Sequence, residues 1–349
     1  MAIVRVPKHK LEKFVSDVLL AMNVDASEAA IIARVFVWFD LVGRTTQGVW
    51  RLPVYLKRYR AGLIASPSQA EFERKSETTY ILHGRNGFGQ YLGHVAMEKA
   101  VALARKYGAG VVGVNGSNHF GAGAYFVQLA AENHCFGFAF SNSVPHVAPY
   151  GGLSAVIGTN PFAFAAPTQS GKSVLVDFST GATAGSMIMK ALEENRPIPE
   201  NIVIDEEGNS ITDPRKAAKG VVLPFGGAKG YCLGLMIEIL AGVVTGAGFS
   251  HGVASLHKNF ERPANVGHFM MAVDIEKWMP LDQYFTRMED LIRYIKNARP
   301  QKGVEEILLP GERRWKLYED HLENGIPLDL KAQDALTKLA DELKIATPW

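Results

Sequence analysis

The sequence predicts an α/β protein, and three consecutive features of its middle third carry that prediction. Val111–Val114 is a short apolar run, typical of a buried strand, and it leads into a polar, glycine-rich loop at 116–123. A helical pattern follows at about 125–133, and a second buried run begins at Phe136. A strand, a polar loop and a helix in this order form a βα unit. Open α/β sheets hold their ligands at the carboxyl ends of such strands.

His119 is the candidate for chemistry in this central loop. The small residues around it let a ligand approach the backbone closely. The alternative is a loop histidine whose hydrogen bonds are satisfied within the protein. Polar residues also follow the second buried run, at 141–143, and the turn 158–161 leads into a further apolar run. This repetition of polar loops at strand ends favours a functional His119.

Three helices are predicted before this centre, at about 8–22, 27–41 and 52–61, from their apolar spacing. A polar glycine turn lies just before the third helix and contains Arg51. A guanidinium fork suits a carboxylate, and helix termini offer free N–H groups to anions. A surface salt bridge is an equally good interpretation of Arg51 on local grounds.

The glycines at 84–90 follow a predicted strand at 79–82 and precede a predicted helix at about 90–107. Their spacing departs from G-x-G-x-x-G, and no acidic residue follows at the distance that a dinucleotide site requires. We interpret this segment as a tight structural turn.

The remaining chain alternates predicted elements with turns. A short strand at 174–177 ends in Asp177, which either forms a turn or holds a ribose hydroxyl. Glycines beside Lys229 precede an apolar helix that runs to about 244, an arrangement suited to an anion or a phosphate. The other predictions are a hairpin within 195–219, a loop at 246–263, a strand at 269–273, and helices at 282–297, from 310 and at 328–344.

Composition limits the class of protein. With 349 residues, 47% hydrophobic and 21% charged, the chain is long enough for one large or two ordinary domains with a sizeable core. A net charge of +2 gives no indication of nucleic-acid binding. The two cysteines lie in apolar surroundings, which favours a reducing, cytoplasmic setting. The charged N-terminus argues against a signal peptide, and no apolar stretch is long enough to predict a membrane span.

Several chemistries are excluded by spacing. The ten histidines are scattered and none forms H-E-x-x-H, so we expect no metal site. No G-x-S-x-G elbow indicates an acyl hydrolase, and the lysine loop at 223–231 is not a Walker loop. Dispersed polar loops suit an extended ligand such as a dinucleotide, so residue patterns alone indicate an enzyme with a nucleotide cofactor.

Separated motifs along nearly the whole chain resemble one family. They are Asp40…Gly43…Gly48…Arg51…Tyr55, Ser117–Gly121, Pro149…Gly151-Gly152, Gly158–Pro161, Thr212–Pro214 and Pro224–Gly227…Lys229–Tyr231. The chain is similar to the malate/L-lactate dehydrogenases that lack a Rossmann fold, a family that includes sulfolactate, ureidoglycolate and diketogulonate oxidoreductases and cyclic imino-acid reductases. The resemblance implies a mixed-sheet cofactor domain at 76–300 and a helical domain built from both chain ends, 1–75 and 301–349. It also implies a homodimer.

The resemblance further implies hydride transfer between NAD(P) and a small 2-hydroxy or 2-oxo acid. Its implied proton-transfer residue is His119, with Gln47 as a catalytic partner. Its implied substrate contacts are Thr46, Arg51, on the carboxylate, and Tyr55. Its implied cofactor contacts are Ser143, Asp177, Phe178, Ser179, Lys229, Gly230, Pro310, Gly311 and Glu312. The sequence leaves NAD and NADP open, with a slight preference for NAD.

Two positions depart from the family pattern. Gln47 stands where most relatives have a histidine, and Ser186 where they have lysine or aspartate. A glutamine can orient a carbonyl but cannot exchange a proton near neutral pH. His119 is then the best-placed titratable group, and we expect an activity limb at roughly pH 6–7.5. The alternatives are a cyclic imino-acid reductase, a ureidoglycolate-type dehydrogenase, or a cofactor-binding protein with little turnover.

Overall fold

The computed structural model describes residues 3–349, without the side chain of Ser186. The helices of this part of the chain are α1 Lys8–Ala21, α2 Ala26–Leu41, α3 Leu52–Arg60, α4 Gly89–Tyr107, α5 Gly123–Glu132, α6 Gly185–Glu193, α7 Pro214–Ala217, α8 Ala228–Ile237, α9 Leu281–Lys296, α10 Glu312–Asn324 and α11 Leu330–Leu343. Its strands are β1 Val4–Val6, β2 Glu71–Arg74, β3 Thr79–His83, β4 Ala109–Ser117, β5 Cys135–Ser141, β6 Phe162–Ala166, β7 Val174–Phe178, β8 Val203–Ile204, β9 Val221–Val222, β10 Val266–Asp274 and β11 Ile326–Leu328. No helix among these residues combines the length and apolar character needed to cross a membrane.

A seven-stranded mixed sheet forms the centre of the protein, in the order β2-β3-β4-β10-β5-β6-β7. Strands β3 and β4 pair in parallel, and every other neighbouring pair in this sheet is antiparallel. It follows that β3, β4, β5 and β7 all run in one direction. Their carboxyl ends therefore meet at a single edge of the sheet, which we call the carboxyl edge.

Both faces of the sheet are covered, and small residues allow the close approach. A Cβ added at Gly110 would lie 2.2 Å from the carbonyl oxygen of Ala100 in α4, whereas one at Gly113 would lie 3.0 Å from Thr245 on the opposite face. Successive strand residues point to opposite faces. Helices α4 and α5 pack on one face. Helix α8 and the residues that follow it, Glu238–Val243, pack on the other.

A separate apolar core joins the two ends of the chain. Helices α1, α2 and α3 pack with the last helix, α11, around buried residues that include Leu11, Phe36 and Leu336. Strands β1 and β11 pair antiparallel beside them. Asp25 starts α2 by accepting hydrogen bonds from the backbone N–H groups of Ser27 and Glu28, as an N-cap residue does. These helices carry the segment 44–51 that faces the carboxyl edge.

The expected α/β class is confirmed by the mixed sheet and its helices, but several predicted boundaries were wrong. The hairpin expected within 195–219 consists of β8 and β9, whose second strand begins only at Val221. Asp213 caps α7, and Pro214 is the first residue of that helix. A helical turn therefore lies where the end of the predicted hairpin was expected. Leu328 lies in β11 instead of the last helix, which starts after the capping residue Asp329. The apolar helix predicted to reach about 244 does extend to Val243, and its last part, Glu238–Val243, is a π-helix.

Candidate active site

The carboxyl edge gathers loops that are far apart in sequence. Strand β4 ends two residues before His119, β5 ends two residues before Ser143, and β7 ends immediately before Ser179. Because β6 and β10 run the other way, the turn 158–161 and the loop 246–263 also enter the sheet at this edge. The predicted catalytic loop and part of the predicted cofactor loops therefore share one location.

Buried Asp40 holds the segment 44–51 in place. Its carboxyl oxygen accepts a hydrogen bond of 2.8 Å from the backbone N–H of Val49. Burial raises the pKa of Asp40 to about 8, and the hydrogen bond from Val49 offsets part of this rise. Gly48 lies directly on this carboxyl group, since a Cβ there would come within 1.9 Å of an Asp40 oxygen. The position of Gly48, eight residues after Asp40, is therefore explained by packing, because only glycine leaves room for the Asp40 carboxyl group.

Tyr55 and His119 contact each other directly. The Tyr55 hydroxyl lies 2.5 Å from Nδ1 of His119 and 3.3 Å from the His119 backbone carbonyl. Burial raises the pKa of Tyr55 to about 12, so its phenol stays protonated at neutral pH. Gly89 packs against the same backbone, because a Cβ there would lie 2.2 Å from the carbonyl oxygen of Asn118. Nδ1 of His119 faces Tyr55, which leaves Nε2 for a ligand.

The pKa of His119 lies well below its ordinary value. Burial of the imidazole is the main cause, and Arg51, His257 and His268 lower it further. The ring is therefore neutral at neutral pH in the ligand-free protein. The pH-dependent change in activity that we expected at roughly pH 6–7.5 is therefore expected at lower pH for the free enzyme.

Arg51 lies beside this pair with no carboxylate partner among the described residues. Its Nε donates to the backbone carbonyl of Thr46, and its Nη1 lies 3.0 Å from Nε2 of His257. Burial lowers the pKa of the guanidinium, as is expected for a cation without a counter-ion. Such a group can accept a carboxylate ligand.

Gln47 and Gln90 contribute amide groups with free hydrogen-bonding capacity. Within the described part of the chain, Oε1 of Gln47 and both amide atoms of Gln90 are buried without a hydrogen-bond partner. Gln90 is fully buried, and its amide lowers the pKa of Tyr55, which places it beside the phenol. Buried polar atoms of this kind are usually satisfied. The Gln90 amide beside Tyr55 is therefore consistent with a polar ligand, and the Gln47 amide belongs to the segment 44–51 that also contains Arg51.

Ser143, Thr159 and Ser179 meet at the turn 158–161. The hydroxyl of Ser143 accepts a hydrogen bond of 3.0 Å from the backbone N–H of Thr159, and the Ser179 hydroxyl donates to the Thr159 carbonyl at 3.1 Å. Asn160 accepts from the backbone N–H of Ser143 and donates to the buried carboxylate of Glu238 in the π-helix. The structure thus brings together two of the residues predicted to contact a cofactor.

Asp177 is already paired within the protein. Its carboxylate, only 3% exposed, lies 2.8 Å from Arg44 Nη2 and 3.1 Å from Arg314 Nη1. Arg44 belongs to the segment 44–51, which also contains Gln47 and Arg51, so this ion pair joins that segment to β7. The neighbouring Phe178 packs edge-on against Phe225, with ring centroids 5.5 Å apart.

Lys229 is exposed at the start of α8 and forms no ion pair with any residue that the structure describes. Gly226 and Gly227 before it both have positive φ angles, which glycine adopts without strain. Gly230 allows close packing, because a Cβ there would lie 2.1 Å from the carbonyl oxygen of Phe225. A lysine beside the free N–H groups of a helix start could hold a phosphate.

The turn 310–312 docks on β7 through its backbone. The carbonyl of Pro310 accepts a hydrogen bond of 2.9 Å from the N–H of Leu175, and Gly311 has a φ of +97°. Glu312 is engaged by Lys296 at 2.6 Å and by the backbone N–H of Leu309. This turn lies next to β7, close to Asp177. The carboxylate of Glu312 itself is already paired with Lys296 and the Leu309 N–H.

Sequence reasoning missed four residues of this region: His257, Gln90, Arg44 and Arg314. His257 lies in a segment predicted only as a loop, and none of the four stands in a spacing pattern that indicates a function. The side chain of Ser186, the second departure from the family pattern, lies outside the described part of the chain.

Comparison with known proteins agrees with the motifs. The sequence model of the malate/L-lactate dehydrogenase family matches residues 6–337. The chain is 36% identical to an L-sulfolactate dehydrogenase of Methanothermobacter thermautotrophicus, over 98% of both chains. It is also 36% identical to a malate dehydrogenase of Pyrococcus abyssi, over 97% of this chain and 94% of the relative.

A solved structure extends the agreement to the whole fold. The sulfolactate dehydrogenase of Methanocaldococcus jannaschii superposes with a TM-score of 0.92 and 33% identity, covering 99% of this chain and 98% of that one. With a family match over most of its length and full-length relatives above 30% identity, the chain is a dehydrogenase that belongs to the malate/L-lactate dehydrogenase family.

Proposed function

We propose that this protein is an NAD(P)-dependent oxidoreductase that transfers a hydride between nicotinamide and a small 2-hydroxy or 2-oxo acid. The observation that carries the proposal is the guanidinium of Arg51. It lies beside the Tyr55–His119 pair, partly buried, and pairs with no carboxylate of the described residues. A substrate carboxylate held there would place its 2-position close to the imidazole.

The names of relatives support both the substrate class and the cofactor. Sulfolactate and malate, named for the matched dehydrogenases, are 2-hydroxy acids. A ureidoglycolate dehydrogenase of Escherichia coli is named for NAD(+), and a (2R)-3-sulfolactate dehydrogenase of Chromohalobacter salexigens for NADP(+). A nicotinamide cofactor follows for this chain, and the choice between the two forms stays open.

The protein's part in the reaction is positioning and proton transfer. A bound nicotinamide would accept the hydride in oxidation and supply it in reduction. In oxidation, Nε2 of His119 takes the hydroxyl proton, which requires that Nδ1 carries the hydrogen and donates it to the Tyr55 oxygen. Gln47 steadies the substrate oxygen, and Arg51 fixes the carboxylate through its planar fork.

The predicted cofactor residues fit a dinucleotide. Lys229 offers an unpaired charge at a helix start, which suits a phosphate. Ser143 and Ser179 converge on Thr159 at the carboxyl edge, and Phe178 and Gly230 pack around the same loops. The ribose on the adenosine side of the dinucleotide would lie near Asp177 and its two arginines, beside the turn Pro310–Glu312. Either guanidinium could pair with a 2′-phosphate, and the carboxylate could hold ribose hydroxyls.

The finer architecture is part of the proposal. We assign 76–300 to a cofactor domain without a Rossmann fold and join 1–75 with 301–349 in a helical domain. The single parallel strand pair in the central sheet and the core shared by α1, α2, α3 and α11 support this division.

A homodimer is supported by an apolar stripe on α8 and its π-helical continuation. Leu235, Ile239 and Val243 recur every four residues and are 38%, 43% and 55% exposed. Exposed apolar patches of this kind mark protein interfaces. We expect Ile239→Glu to convert a dimer into a monomer in light scattering, whereas Leu291→Glu, at a similarly exposed leucine of α9, leaves the mass unchanged. A wild-type protein that is monomeric at every concentration refutes the dimer.

The experiment that tests the function is consumption of NADH and NADPH against a panel of 2-oxo acids, with a cyclic imino acid beside them and ureidoglycolate in the oxidative direction. A parallel fluorescence titration measures cofactor binding. We expect turnover of a 2-oxo acid with at least one cofactor. Cofactor binding without turnover of any compound would favour the alternative of a cofactor-binding protein with little turnover. The replacement of the family's histidine by Gln47, which cannot titrate, is the observation that favours this alternative.

A further inference from the structure

His257 lies against Arg51 on a loop that a buried arginine holds in place. Arg58 is fully buried and donates to the backbone carbonyls of Ser255, Asn259 and Arg262. These three contacts fix the loop 255–262 at both of its ends. The result is a distance of 3.0 Å between Nε2 of His257 and Nη1 of Arg51.

The charges around His257 are positive. Arg51 and Arg58 both act on its imidazole, His257 itself acts on His119, and no carboxylate of the described residues forms an ion pair with it. Partial desolvation of the ring, which keeps access to solvent, is the main cause that lowers its pKa, followed by these two guanidiniums. A guanidinium has only donors, so Nε2 of His257 accepts and the ring is neutral in the ligand-free protein.

We propose that His257 is a second contact for the acidic group of the substrate and takes up a proton from solvent when that group binds at Arg51. This inference rests on the proposed function, since it takes the Arg51 site as the carboxylate site. A protonated His257 against bare Arg51 places two cations within hydrogen-bonding distance. A carboxylate between them replaces that repulsion with two attractions, so the protonated ring becomes the favoured form.

The proton uptake can be measured directly. The holoenzyme with NADH is titrated with oxamate, an unreactive analogue of a 2-oxo acid, by calorimetry in buffers of different ionisation enthalpy. We expect the wild type to take up close to one proton and its affinity to rise by up to about tenfold per pH unit as the pH falls. His257→Gln keeps a hydrogen-bonding side chain but cannot titrate, so its uptake falls sharply and its affinity becomes nearly independent of pH. His251→Gln, at an exposed histidine six residues away, serves as the control and behaves as the wild type.

The outcomes separate this inference from the function that it rests on. If oxamate binds and His257→Gln retains the wild-type uptake and pH dependence, His257 is not the group that takes up the proton. If the uptake disappears in His119→Gln and persists in His257→Gln, the proton goes to His119 and the inference is also wrong. Oxamate that binds neither the wild type nor the His251→Gln control refutes the carboxylate site itself, and with it both proposals.

A measurement without any ligand tests the contact on which the argument depends. Arg51→Gln removes the nearest positive charge from His257 and should raise the pKa of that imidazole, followed by NMR of histidine-labelled protein. The His257→Gln spectrum assigns the resonance. An unchanged His257 titration in Arg51→Gln would contradict the coupling between the two side chains.

Discussion

Replacing His119 by alanine is the most direct perturbation of the proposed chemistry. The imidazole contacts Tyr55 through Nδ1 at 2.5 Å and leaves Nε2 for the substrate. Without it, no imidazole would lie beside Tyr55 to take or give the substrate proton. The Tyr55 hydroxyl keeps the backbone carbonyl of residue 119 as an acceptor at 3.3 Å, so the fold should tolerate the change.

The expected magnitude is a fall in kcat of at least roughly 10²-fold, within the range of about 10²–10⁴ that positioned proton donors supply. This corresponds to about 3–5 kcal/mol of transition-state stabilisation. Cofactor affinity should be largely retained, because the predicted phosphate contact, Lys229, lies on a different loop. A uniform loss of both would indicate a structural defect instead.

The pH dependence has a definite sign. Because burial and Arg51 lower the pKa of His119, the neutral ring that oxidation needs persists through the neutral range. In the wild type, kcat/KM for oxidation should therefore be flat near pH 7 and decline only at acid pH, below the ordinary imidazole range. In reduction, where a protonated ring is needed, kcat/KM should rise as the pH falls.

Initial rates in both directions between pH 5 and 9, with cofactor binding followed by fluorescence, test these expectations. His9→Ala, at an exposed histidine of α1, is the matched control and should retain wild-type rates. Near-wild-type turnover of His119→Ala would refute the assignment, and solvent, Tyr55 or another residue would have to move the proton.

Three further substitutions test the parts around this centre. Lys229→Ala should raise the cofactor KM more than it lowers kcat, by about 1.5–3 kcal/mol for a lost charge-assisted contact; Lys219→Ala is the control, and an unchanged cofactor affinity removes Lys229 from the site. Arg51→Lys should raise the substrate KM on the order of tenfold although the charge is kept; equal KM values mean that the carboxylate is held elsewhere. Gly48→Ala should lower the free energy of unfolding by about 1–3 kcal/mol and raise the substrate KM, because its Cβ would meet the Asp40 carboxyl. Gly252→Ala, which meets nothing within 4 Å, should be neutral in thermal unfolding, and equal stability of the two variants would contradict the close packing.

The elements that the sequence predicted well are those whose signal is local. Strand β4, its glycine loop and α5 are found where an apolar run, a polar loop and a helical pattern follow one another. Strands β1 and β11 escaped prediction because each has three residues and they pair across almost the whole chain, Val4 with Leu328. A pairing at that distance leaves no periodicity to detect.

The same distinction applies to the candidate site. His119 and Arg51 stand in polar glycine segments, and that local chemistry indicates them from the sequence. His257 has no such signal, since only the carbonyl contacts of Arg58, about two hundred residues earlier, bring it to Arg51. The strand-end position of Asp177 left a turn former and a ribose contact open, and only the family resemblance implied a cofactor contact. Its pairing with Arg44 and Arg314 depends on tertiary structure.

Helix α3 and the residue before it explain why these parts act together. Arg51, Tyr55 and Arg58 are spaced four and three residues apart and so lie on one helical face. They contact His257, His119 and the loop 255–262 in turn. The positive charge of Arg51 is also one of the causes that keep His119 neutral. A carboxylate bound at Arg51 would offset that charge, whereas a proton taken up by His257 would restore a positive charge near His119. The two changes oppose each other at His119, so the proton taken up on substrate binding stays on His257, next to the carboxylate.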